Sequence, residues 1–173
     1  MTGIGKRATT TALLAAFALA ICGVSVASAS IPQTGARAPN FSLELIANGQ
    51  GTVSLDKYKG KGIYLNFFAS WCVPCKAEVP SIAQLSKSYA KRGVVVLGVD
   101  ELESVEAARG FVSRYKLPYP IGLDDSGALG ASYGLIGLPL HVFIGPDGKI
   151  VARRSGEMSE DQIRAGMDQI AHK

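Results

Sequence analysis

The chain predicts an α/β fold, with helices on both faces of a central sheet, from three observations. Short apolar runs alternate with longer stretches in which apolar residues recur on a helical period. Val94-Val95-Val96-Leu97-Gly98-Val99 is continuously apolar, the mark of a strand buried on both faces. Two strand-like runs joined by a turn, followed by a helix, close the chain.

Ser30 to Asn40, with Pro32 and Pro39, reads as an irregular lead-in. Phe41-Ser42-Leu43-Glu44-Leu45 alternates at period two, Asn48-Gly49 marks a turn, and Thr52-Val53-Ser54-Leu55 returns, so a β-hairpin is expected. Lys59-Gly60-Lys61-Gly62 breaks the chain before an apolar strand over 63–68. Pro74 to Arg92 carries Val79, Ile82, Ala83, Leu85 and Tyr89 on a helical period, with Pro80 inside and Gly93 at the end. After the Val94–Val99 strand, Ser104 to Tyr115 reads as a helix and Gly127 to Tyr133 as a shorter one. Leu140 to Ile144 is a strand, Pro146-Asp147-Gly148-Lys149 a turn and Ile150 to Arg154 the returning strand. Ser159, with Asp161 and Gln162 behind it, opens a last helix running to about Ala171.

The N-terminus reads as an export signal over residues 1–29. Lys6 and Arg7 form its positive end, Ala12 to Val24 its apolar core, and Ala27-Ser28-Ala29 a small-residue cleavage pattern. The core is short for a membrane span, which needs about 20 residues. Counted from Thr9 to Ala29, the run would serve as an uncleaved anchor. A lipoprotein role for Cys22 is disfavoured by Ile21, where such signals want a small residue. Cleavage before Ser30 leaves 144 of the 173 residues, one domain able to bury a core. Without Lys6 and Arg7 the formal charge falls from +4 to +2, and no Lys/Arg run or basic-aromatic stripe points to nucleic acid. The 20 glycines are scattered and form no phosphate-binding loop.

Of three cysteines, only Cys72 and Cys75 remain after cleavage, as Trp71-Cys72-Val73-Pro74-Cys75 between a strand and a helix start. An exported domain with a single C-x-x-C has kept its thiols for reactivity rather than for stapling. Cys72, at the helix N-terminus, meets unpaired N–H groups and the positive end of the macrodipole, which favour the attacking thiolate. Cys75 lies inside the first turn, better shielded, and suits the resolving role. Structural zinc usually requires four ligands, whereas the mature chain offers two cysteines with His141 and His172. Pro74 is tolerated in the first turn, where its missing N–H would be unpaired anyway. Trp71 reads equally as core packing or as substrate contact. Glu78 completes C-x-x-C-x-x-E, one helical turn beyond Cys75 on the same face. The plainer reading of Glu78 is an early-helix carboxylate that offsets the dipole. Asp100, Glu101 and Glu103 read as a solvated loop and helix start rather than a metal cluster, and His141 as a partly exposed strand residue in preference to a local contact near the site.

These residues carry a family resemblance. The element order and the W-C-x-P-C motif resemble the thioredoxin fold, and more closely the exported thioredoxin-like proteins of the TlpA/ResA/CcmG type. GARAPNFSLELIANGQGTVSLDKYKGK resembles the N-terminal hairpin added in that family. IYLNFFASWCVPCKAEVP resembles its active-site segment, and GLPLHVFIGPDGKIVARRSGEMSEDQI its cis-proline, final hairpin and helix. The resemblance implies a central mixed sheet and a Cys72/Cys75 dithiol–disulfide cycle that needs no further cofactor. It places Trp71 and Pro74 beside the active site. It makes Pro139 the cis-proline, with the Leu138 backbone opposite Cys72 and free to pair with an extended substrate. Ordinary thioredoxins carry a buried Asp six residues before the first Cys; here Asn66 stands there and cannot titrate. The resemblance gives that acid–base work to Glu78, which can take the Cys75 proton and raise the thiol's pKa by like-charge repulsion. The family often has Thr-Thr after the proline, where this chain has Leu140-His141.

The function so implied is an extracytoplasmic thiol–disulfide oxidoreductase, mainly a reductase of protein disulfides such as the C-x-x-C-H haem-attachment site of apocytochromes c. A membrane thiol reductase of the CcdA/DsbD kind would supply electrons. A peroxiredoxin would place Pro and Thr at set distances before its peroxidatic Cys; aligned on Cys75, those positions hold Phe68 and Cys72. A copper-delivery protein would carry C-x-x-x-C, one residue longer than this spacing.

Overall fold

The computed structural model describes residues 31–172 and, before them, Thr2 alone. The export signal, its cleavage site and Cys22 lie outside the described residues. Seven strands form one mixed sheet in the order β2-β1-β5-β4-β3-β6-β7. The hairpin is β1 (Leu43–Ala47) with β2 (Thr52–Val53), followed by a 3-10 turn at Leu55–Tyr58. At the sheet centre β3 (Gly62–Phe68) runs parallel to β4 (Val94–Glu101) and antiparallel to β6 (Leu140–Ile144), and β7 (Ile150–Ser155) closes the far edge. The helices are α1 (Val73–Ala90), α2 (Val105–Tyr115), α3 (Ala128–Ser132) and α4 (Glu160–Ile170).

The two faces are covered unequally. On one, α1, α2 and α4 bury Cys75, Val79, Ile82, Leu85 and Tyr89 with Phe111, Ile163 and Met167 against Tyr64, Phe68, Val96 and Phe143. On the other, the short α3 and the N-terminal segment bury Leu129, Tyr133 and Ala38 against Leu65, Phe67, Leu97 and Val142. Each large apolar side chain buried in this way contributes about 1.5–3 kcal/mol, so the periodic face of α1 alone is a major part of the core. The alternation along β3 decides what reaches the first face: Tyr64, Asn66 and Phe68 point there, and Leu65 and Phe67 point away. α4 lies close on β6 because Gly166 has no side chain; a Cβ there would sit 2.4 Å from Phe143 Cζ. Its N-terminus carries a complete capping box between Ser159 and Gln162.

One strand was not anticipated. β5 (Ile121–Asp124) is four residues long, set between Pro120 and Asp125-Ser126-Gly127, and nothing local distinguishes it from a loop. It forms because β4 offers a parallel edge and β1 an antiparallel one. Asn48 in the hairpin turn anchors the approach to it, donating from Nδ2 to the carbonyls of Leu117 and Tyr119, each at 2.8 Å.

Two readings of polar residues are corrected. Asp100 and Glu101 are the buried last residues of β4 rather than a solvated loop; only Glu103 lies beyond the strand. His141 is fully buried rather than partly exposed, because β6 is an interior strand between β3 and β7 and its face is covered by α1 and α4.

Candidate active site

β3 delivers the chain through Ala69, Ser70 and Trp71 to Cys72 at the start of α1. The turn is held by Cys72 N–H donating to Ala69 O at 3.1 Å and by Ser70, whose N–H donates to Glu103 Oε1 at 2.7 Å and whose hydroxyl bonds the other oxygen of that carboxylate. Cys72 is the N-cap of α1, with extended backbone (φ −74°, ψ 109°), and its Sγ accepts the backbone N–H of Cys75 at 3.3 Å. Cys72 and Cys75 are joined as a disulfide with Cα atoms 5.3 Å apart, inside the usual range for such bridges. No acidic side chain occupies the first turn of α1 to offset the helix field at Cys72.

Around the disulfide the surface is apolar and open. Trp71, before Cys72, is 59% exposed, and Val73, after it, 73%. Core packing is therefore not the role of Trp71. Pro74 sits in the first turn of α1, half-buried. The Leu138–Pro139 peptide is cis, Pro139 is buried, and Leu138 packs against the apolar cluster that contains Cys72 and Cys75. The fold thus brings together the C-x-x-C turn and the segment before β6, which lie more than sixty residues apart in sequence.

Beneath the disulfide lies a buried polar cluster. Glu78 is not a solvated dipole-offsetting residue: its side chain is buried against the sheet. Glu78 Oε1 accepts the backbone N–H of Met158 and lies 3.4 Å from His141 Nε2, while Oε2 is buried without a hydrogen-bond partner. His141 Nε2 also faces the carbonyl of Gly156 at 3.1 Å, and Nδ1 faces the Tyr64 hydroxyl at 2.7 Å and Asn66 Nδ2 at 3.3 Å. Burial, then the Glu78 charge, pushes the Tyr64 and Tyr119 phenols up, so both stay protonated hydroxyls.

A second acidic pair flanks the other side of the turn. Asp100 stands opposite Phe68 in the β3–β4 ladder. Burial, and next the neighbouring Glu103 carboxylate, push its carboxyl up to about 9. Glu101, on the opposite face of β4, is pushed up to about 8 by burial and then by Asp124. At neutral pH Asp100 is a neutral acid beside the Glu103 carboxylate that holds the Ser70 turn.

The sequence singled out Cys72, Cys75, Glu78, Trp71, Pro74, Leu138 and Pro139, and the fold gathers them at one end of the sheet. It passed over Tyr64 and Tyr119, read Asp100 as part of a solvated loop and read His141 as a partly exposed strand residue. A polar residue inside an otherwise apolar strand run, as in Leu140-His141-Val142-Phe143-Ile144, was the available sign.

Comparison with known proteins decides the family. The profile described as Redoxin matches residues 33–170. The chain belongs to the Redoxin family. ResA, the thiol–disulfide oxidoreductase of Bacillus subtilis, is 38% identical over 79% of this chain and 75% of its own. ResA of Bacillus thuringiensis subsp. konkukian is 34% identical over 80% and 79%. Among solved structures, a secreted Mycobacterium tuberculosis disulfide oxidoreductase homologous to Escherichia coli DsbE superposes with a TM-score of 0.67 at 26% identity, covering 75% of this chain and 95% of that one. The TlpA/ResA/CcmG resemblance therefore holds, and the protein is a thiol–disulfide oxidoreductase with a thioredoxin-like fold. Among the described residues, no helix is long and apolar enough to cross a membrane.

Proposed function

We propose that this Redoxin-family oxidoreductase works outside the cytoplasm as a reductase of protein disulfides, with Cys72 as nucleophile, Cys75 as resolving thiol and Glu78 as the acid–base group of Cys75. The observation that carries this reading is the asymmetry of the two sulfurs. Cys72 caps the helix beneath an exposed apolar rim, whereas Cys75 lies deeper, one turn from a buried carboxylate.

In the reduced enzyme the Cys72 thiolate attacks one sulfur of the substrate disulfide. A mixed disulfide forms and the substrate's other sulfur leaves as a thiolate that takes up a proton. Glu78 accepts the Cys75 proton, and the resulting thiolate attacks Cys72 Sγ. The Cys72–Cys75 bond forms, the second substrate thiol is released, and two electrons have passed to the substrate. Trp71, Val73 and Pro74 line the approach, and the backbone of Leu138 beside Pro139 is suited to pair with an extended substrate segment. The cycle uses the redox-active disulfide alone, without a bound cofactor.

Family resemblance favours substrates such as the haem-site disulfide of apocytochromes c, and a CcdA/DsbD-type membrane thiol reductase as electron donor. Residues 1–29 support export, with the mature chain starting at Ser30. The test is capture in the native cell envelope with a Cys75→Ser variant, followed by identification of the proteins held on Cys72. Recovery of apocytochromes c supports the reading. Capture of none, with an intact N-terminus on cytoplasmic material, overturns it.

A further inference from the structure

His141 is fully buried and lies 3.4 Å from Glu78, yet the thiol cycle itself has no use for an imidazole. The contacts of its two ring nitrogens bear on its tautomer. A carbonyl can only accept, so the 3.1 Å contact to Gly156 O requires a hydrogen on Nε2. On the other side the Tyr64 hydroxyl and Asn66 Nδ2 both face Nδ1. A neutral imidazole protonated on Nε2 is compatible with these contacts, its single Nδ1 lone pair facing the Tyr64 hydroxyl at 2.7 Å and, more distantly, Asn66 Nδ2 at 3.3 Å. Its N–H is then bonded to Gly156 O, and Nε2 lies 3.4 Å from Glu78 Oε1, within ion-pair distance though without a hydrogen bond.

Glu78 needs such a donor. Burial penalises a carboxylate, and hydrogen bonds to the charged form offset that penalty. Oε1 accepts the Met158 N–H and has His141 Nε2 3.4 Å away, while Oε2 has no partner and is the oxygen left for proton exchange. The groups facing this carboxylate are Cys75 on its own helix, Tyr64 on β3, Tyr119 before β5 and His141 on β6. Arg154, opposite His141 in the β6–β7 ladder, is exposed and bonds the Arg153 carbonyl. Among the described ion pairs, no Lys or Arg reaches Glu78.

We infer that His141 is a positioning residue for the Cys75 proton transfer: its Nε2–H holds Glu78 as a carboxylate with Oε2 free, and Tyr64 and Asn66 lock the imidazole in the tautomer that can do so. The inference rests on the acid–base role proposed for Glu78. It extends that role to a pair in which the histidine sets the pH at which the resolving thiol becomes active.

The experiment is the pH–rate profile of mixed-disulfide resolution in the full mature protein, in four forms: wild type, His141→Val, Glu78→Gln and the double variant. In His141→Val the acid limb should move to higher pH by about one unit, a roughly tenfold loss of rate on that limb, because the carboxylate loses the N–H dipole that lies beside it. His141→Gln, which retains an N–H donor, should recover most of the loss. In the Glu78→Gln background His141→Val should change nothing further. A shift of equal size in both backgrounds, or no shift in His141→Val while Glu78→Gln does shift the profile, overturns the inference and leaves the role of Glu78 standing. An unchanged profile in Glu78→Gln removes both. Should His141→Val not fold, the wild-type protein decides. Only His141 and His172 contribute imidazole nitrogen signals, and NMR should show His141 with hydrogen on Nε2, whereas hydrogen on Nδ1 alone overturns the proposal.

Discussion

The Sγ of Cys72 accepts the backbone N–H of Cys75 at 3.3 Å, so the first cysteine caps the helix whose first turn contains the second. In the reduced state the same N–H faces a sulfur that gains by carrying negative charge, at the positive end of an 18-residue helix with no acidic residue in its first turn.

Cys72 is therefore expected to react first. Iodoacetamide at neutral pH should label Cys72 at least tenfold faster than Cys75 in the reduced protein, as read by peptide mass mapping over time. Faster labelling of Cys75 would exchange the two roles.

Glu78→Gln is expected to slow resolution of a Cys72 mixed disulfide by about a hundredfold, the lower end of what a positioned acid–base group contributes. Formation of that mixed disulfide should be much less affected. Stopped-flow measurement of the two steps separates them, and equal loss in both would point to a damaged fold instead.

Asp100 makes stability depend on pH in a definite direction. Its carboxyl is raised from an ordinary 3.8 to about 9 in the folded protein. Between these values the folded state binds a proton that the unfolded state lacks, so stability falls as pH rises through this window. Asp100→Asn keeps a neutral polar side chain and removes that dependence. At pH 8 the variant should be more stable than wild type by upwards of about 1 kcal/mol, and at pH 4 close to it, as urea unfolding would measure. Equal slopes of stability against pH in the two proteins would mean that Asp100 is ionised in the fold.

The direction of electron flow is open to a potential measurement. A reductase is expected near the thioredoxin value of about −270 mV, against about −120 mV for the oxidant DsbA. The gap corresponds to several kcal/mol for a two-electron couple, since roughly 30 mV is about 1.4 kcal/mol. Equilibration with dithiothreitol or glutathione resolves it, and a value near that of DsbA would argue for oxidation of substrates.

By itself the sequence determined the chemistry's centre and most of the scaffold, because these are encoded locally. The C-x-x-C at a strand-to-helix junction, the i, i+3 placement of Glu78, the Ser159 cap and the periodicities of α1, β3 and β4 all lie within a few residues of one another. Tertiary structure alone decided β5, whose four residues become a strand only between the edges of β4 and β1. It also decided the fate of the polar residues. Asp100 and Glu101 follow a strand in sequence as a solvated loop would, but pairing with β3 and β5 extends β4 over them and seals them in. His141 meets Asn66 across a register that joins residues 75 apart, and α1 carries Glu78 to it from a third element. A single strand offers no way to tell which face a helix will cover, so burial of a lone histidine is a property of the packed layers and not of the pentapeptide that contains it.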